Sequence, residues 1–255
     1  MKNTRETLES IYKQYNRPEY LSTDPLEFLH FYPELRDREI VALIASALAY
    51  GRVVLIRRSV SRVLEILGPR PSVFLSQRRE QDFPPIFQGF CHRFCKAEHL
   101  AALFTAIKRL LETHGGLEQA YSLGTNPDHD HVMPSMGAFY NLMSRAGLEG
   151  AGHLIPDPFR GSACKRFNLF LRWMVRKDQV DPGGWTCVHP GQLIVPMDVH
   201  MGRICRSMAL TSRKQNDLKT ALEATRGFGE ICPRDPVRYD FALTRVSMEN
   251  PELFF

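Results

Sequence analysis

Apolar residues recur at helical spacing along almost the whole chain, and this pattern restricts the fold more than any other feature of the sequence. Asp37 reads as an N-cap ahead of an apolar helical run that Gly51 closes. A second helix is predicted over 52–67, ending at Gly68-Pro69. A third covers 96–113 and ends at Gly115-Gly116, and a fourth covers 133–145. Over 162–176, Phe167, Phe170, Leu171 and Met174 fall at i, i+3, i+4 and i+7 and define a core face. Leu193 to Pro196 reads as extended, because proline disfavours helix in the residue before it. Asp198 then stands where an N-cap belongs, and two more helices fit 216–226 and 235–248. No repeat or strand-rich section interrupts this pattern, so the predicted class is all-α.

With 255 residues the chain can bury a core as one large domain or two small ones. Its formal charge is 33 − 28 = +5. A mildly basic balance permits a polyanionic partner without requiring one. The start is polar and lacks the apolar run of a secretory leader, and the apolar stretch Val41 to Tyr50 is too short to span a bilayer. A cytoplasmic protein is the default expectation. The six cysteines are scattered, so disulfides are not expected. Cys91-x3-Cys95, with His92 and His99 nearby, is their one cluster. It lacks CxxC-type spacing and a second pair, so buried thiols are expected there, with no metal and no cofactor.

The segment 160–177 holds six basic residues (Arg160, Lys165, Arg166, Arg172, Arg176 and Lys177) and no acidic one. Lys165, Arg172 and Arg176 share a stripe opposite the apolar face. A solvated face explains such a stripe, and so does a phosphate-binding one. Lys165 lies in the first helical turn, behind Gly161-Ser162, where unpaired backbone N–H groups and the positive dipole end favour an anion. The same environment disfavours an ammonium ion, and an uncharged lysine amine is a nucleophile able to form a Schiff base. Arg52, Arg57, Arg58 and Arg62, on or near the second helix, are further candidates for phosphate contact.

Residues 193–204, LIVPMDVHMGRI, resemble the segment around the catalytic aspartate of 8-oxoguanine DNA glycosylases of the helix-hairpin-helix superfamily. The match covers Val195, Pro196, Asp198, Val199, His200 and Met201. Lys165 stands where the bifunctional members carry their lysine. The spacing of 198 − 165 = 33 residues is more similar to an archaeal branch of those enzymes. The usual glycine-rich hairpin is absent. Residues 156–185 also resemble a long-uncharacterised bacterial and archaeal family marked by GSACKR-x-NLFLRWMVR and VDPGGW.

The resemblance implies a two-domain helical fold with a cleft. A central domain would span 37–196, and a second would be built from 1–36 and 197–255. It implies a DNA glycosylase and abasic-site lyase that flips an oxidised purine out of duplex DNA. Lys165 would be the nucleophile and Asp198 the carboxylate that stabilises charge on the sugar. Gly161, Ser162, Arg166, Arg172, Arg176 and Arg52 would contact DNA. His200, Trp173 and Trp185 are candidates for the base pocket, with ordinary core packing as the competing reading for both tryptophans. The expected partner is damaged double-stranded DNA, bound by a monomer associated with the nucleoid. The alternatives are a monofunctional glycosylase and a DNA- or RNA-binding protein without chemistry.

Overall fold

The computed structural model describes residues 2–148, 150–250 and 252. Residues 1, 251 and 253–255, at the ends of the expected second domain, lie outside the described residues. The helices are α1 (Lys2–Tyr15), α2 (Leu35–Ala47), α3 (Val53–Leu67), α4 (Pro71–Ser76), α5 (Phe83–Ile86), α6 (Ala97–His114), α7 (Leu117–Ser122), α8 (Met133–Arg145), α9 (Lys165–Val175), α10 (Val199–Ser207), α11 (Leu218–Ile231) and α12 (Asp240–Glu249). Short 3-10 turns join several of them. Strand structure among the described residues is limited to the antiparallel pair β1 (Cys91–His92) and β2 (Cys95–Lys96) and the single bridge Ser162↔Asp217. The protein is therefore mostly helical, and no described helix is long and apolar enough to cross a membrane.

The chain forms two compact units. Unit 1 holds residues 1–22, 127–132 and 158–255; unit 2 holds 23–126 and 133–157. These boundaries fall elsewhere than the expected 37–196 division, and Lys165 and Asp198 fall in the same unit.

In unit 1, α1 packs on α12, and Tyr15, Ala242 and Val246 are buried between them. Phe167, Phe170, Leu171, Trp173 and Met174 bury one face of α9 as the spacing required. The helix starts at Lys165, later than the expected 162, because Cys164 takes a left-handed backbone (φ 47°) that ends the preceding turn. Trp185 closes the far side, edge-on to Phe170 at 5.0 Å.

Unit 2 is organised on α2, whose residues from Ile40 to Ala47 are buried on every side. A helix apolar all round belongs in the middle of a bundle. It packs on the 3-10 turn Pro25–Phe31, α4 and α7. Asp37 does not cap its own helix. It lies in the first turn of α2, and its carboxylate accepts the Ser72 N–H of α4 at 2.7 Å and faces Arg70 at 3.1 Å. Glu39 likewise accepts the Leu117 and Glu118 N–H groups at the start of α7, at 2.7 and 3.1 Å. Two buried carboxylates on one helix thus satisfy the open amides of two others.

Candidate functional site

The Lys165 helix is held at its start by a set of hydrogen bonds, two local and one to the start of α11. Ser162 Oγ accepts the Cys164 N–H at 3.2 Å, and the Gly161 carbonyl accepts the Leu218 N–H at 3.1 Å. Asn168 Nδ2 donates back to the Ala163 carbonyl at 2.9 Å. Gly161 has φ +74°, a conformation that glycine adopts at no steric cost. These contacts fix the direction in which the first side chain of α9 leaves the backbone.

That side chain meets Asp198: Lys165 Nζ lies 2.7 Å from Asp198 Oδ2. The Lys165 side chain is 37% exposed and that of Asp198 26%, so the pair is open to a solute. Asp198 is also the N-cap of α10, accepting the Met201 N–H at 2.9 Å through its other oxygen. Burial alone would raise the Asp198 carboxyl. The Lys165 charge and hydrogen bond, the Met201 amide and the nearby His200 outweigh it and hold the pKa below its ordinary value. Gly202 lets α10 approach the 213–217 loop, because a Cβ there would fall 2.2 Å from Asn216 Oδ1.

The remaining candidate residues separate into three groups. Gly161 and Ser162 are exposed just before Lys165, Arg166 is half-buried beside it, and His200 is exposed in the first turn of α10. Arg52, the N-cap residue of α3, is exposed but belongs to unit 2. Arg172 and Arg176 are buried, which corrects the expectation that they face DNA. Arg172 pairs with Asp240 and lies 3.2 Å from Asp181. Arg176 pairs with Asp181, Asp178 at 2.7 Å and Asp235 at 2.9 Å. While these bonds stand, neither guanidinium can reach a phosphate. Trp173 is 0% exposed and Trp185 3%, so neither can stack on a base in this arrangement, and core packing accounts for both.

Sequence reasoning missed Asp181 and Asp240, which hold the underside of α9. Burial raises the pKa of both, against the pull of the arginines, and pushes Asp181 up to about 6. Asp240 is close enough to the candidate site to sense the Asp198 and Lys165 charges. Its only sequence signal was a carboxylate on the buried face of a terminal helix.

A helical protein with a lysine–carboxylate pair at the start of α9 is the class that fold and site define. The chain belongs to the family described as "Protein of unknown function (DUF2400)", whose model matches residues 24–249. This corrects the resemblance to helix-hairpin-helix DNA glycosylases, since the family that matches is an uncharacterised one and no such glycosylase family does. The similarity around Asp198 rests on six residues, Val195, Pro196 and Asp198 to Met201, and is not matched by a family-level similarity to those enzymes. No curated protein and no solved structure matches the chain.

Proposed function

We propose that the protein is a lysine-dependent DNA glycosylase and abasic-site lyase, with Lys165 as nucleophile and Asp198 as its carboxylate partner. The observation that supports this reading most is the 2.7 Å Lys165–Asp198 contact between two side chains that remain open to solvent. A nucleophile and a proton-accepting group within hydrogen-bond reach are what amine catalysis needs. Exposed Arg160 and the net charge of +5 favour a phosphate-bearing substrate.

In this reading a damaged nucleoside turns out of the stack and brings C1′ to Nζ. Lys165 first gives its ammonium proton to solvent; the neutral Nζ then bonds to C1′ as the C1′–N bond breaks, and the base leaves with the electron pair and takes up the proton that Nζ sheds. Asp198 faces the positive charge that grows on the sugar. Ring opening gives an imine, and loss of a C2′ proton expels the 3′ phosphate. An oxidised purine such as 8-oxoguanine is the first lesion to test.

Borohydride reduces such an imine to a permanent protein–DNA adduct. Duplexes with 8-oxoguanine or an abasic site should give this adduct with the wild-type chain and none with Lys165→Gln. Adduct from Lys165→Gln would remove Lys165 from the mechanism. Intact DNA binding without any adduct would favour a monofunctional glycosylase, in which water attacks, or a non-catalytic binder.

A further inference from the structure

Three side chains in unit 2 converge without any part in the site above. Cys95 comes from β2, His99 from the first turn of α6, and His153 from the loop after α8. One ligand atom from each lies within 4.8 Å of the others. The two imidazoles stand edge to face, 4.6 Å between centroids. We propose that Cys95, His99 and His153 form a metal site of the zinc class, with a water in the fourth position.

The donor set selects the ion. One thiolate and two imidazoles suit Zn²⁺ and its probe Co²⁺, whereas Mg²⁺ and Ca²⁺ want oxygen. Tetrahedral zinc with bonds of the usual length sets its ligand atoms roughly 3.3–3.6 Å apart. Closing from 4.8 Å is within the reach of rotations about histidine side-chain bonds. On binding, the Cys95 thiol loses its proton to solvent and the sulfur takes the metal. His99 Nδ1 now accepts the Lys96 N–H at 3.1 Å. A metal takes that lone pair, or takes Nε2 after the ring proton moves to Nδ1. Either way one capping bond of α6 is exchanged for a metal bond.

The neighbours that the sequence offered as partners are engaged elsewhere. His92 meets Ser59 Oγ at 2.9 Å and the Tyr50 carbonyl at 3.1 Å, one through each ring nitrogen. The exposed Cys91 thiol points to the Arg93 carbonyl at 3.7 Å. The bound ion would tie together the β1–β2 hairpin, the start of α6 and the loop after α8.

The test uses the full chain, reduced, stripped with a chelator and titrated with Co²⁺. The expected result is saturation at one ion per chain, with the visible bands of tetrahedral cobalt, a thiolate-to-cobalt charge-transfer band, and displacement by Zn²⁺. Cys95→Ser should lose the charge-transfer band and Cys91→Ser should keep it. His153→Gln, which sits on a loop and leaves the helices intact, should weaken Co²⁺ binding more than the about 10–100-fold typical of losing a group that merely supports a ligand. A wild-type chain without these bands, or a Cys91→Ser chain that loses them as Cys95→Ser does, overturns the site.

Discussion

Asp198 does two jobs with two oxygens, one on the Met201 amide and one on Lys165. Asp198→Asn keeps an acceptor for the amide and removes the charge. Urea unfolding followed by circular dichroism should show a loss below about 1 kcal/mol for Asp198→Asn, because a half-exposed ion pair contributes little. Asp198→Ala should cost about 1 kcal/mol more, as the cap is lost too. The pH dependence has a definite sign. The folded carboxyl titrates below its ordinary value of 3.8, so its contribution is fully present above that value and is lost as the pH falls through the folded pKa. The gap between wild type and Asp198→Asn should therefore narrow below about pH 3.8; a gap that widens in acid contradicts the pairing. The sequence offered both residues because their signals are local, a lysine behind Gly-Ser and an aspartate behind a proline at a helix start, and the structure brings the two side chains together. What they belong to was not legible, since a short run around a capped helix fixes local geometry and not the family.

On the scale of elements, α9 shows where local reading stops. Its apolar face follows from spacing alone. Its basic face read as solvated or phosphate-binding because no acid lies between 160 and 177, yet Asp178, Asp181, Asp235 and Asp240 come from beyond that window to cover it. Arg172→Ala leaves Asp181 and Asp240 buried without their main counter-charge and should destabilise unit 1 by about 3–5 kcal/mol. Lys177→Ala, exposed just beyond the same helix, should stay within about 0.5 kcal/mol. Equal effects of the two substitutions on the urea midpoint would refute the buried network. The turn behind α9 is equally constrained. Gly183 has φ +62°, and a Cβ there would lie 2.6 Å from the Arg176 carbonyl oxygen. Gly183→Ala should cost at least about 1–3 kcal/mol in the same measurement. Asp37 repeats the lesson in unit 2: a carboxylate near a helix start signals a cap, but the sequence does not say whose.

For the whole molecule, the all-α class was legible because helical periodicity needs only neighbours along the chain. The division into units was not, because unit 1 gathers three separate stretches of chain and unit 2 gathers two. The turn-rich runs at 124–131 and 156–158 mark breaks in the chain but not which pieces rejoin across them. The metal-type cluster was half legible: Cys95 and His99 sit together in sequence, while His153 joins them only through the packing of unit 2.

The pairing of α1 with α12 also sets an order of events on the ribosome. All the chain that unit 2 needs has been made once residue 157 has been added. Unit 1 must keep its first helix waiting until its last one emerges, some two hundred residues later. Until then Arg172 has Asp181 but no Asp240, and the buried side of the Lys165 helix lacks part of its ion-pair network. A chain stalled before α12 would thus carry all of unit 2 and a unit 1 whose first helix still lacks its partner, a form that quality-control proteases can recognise.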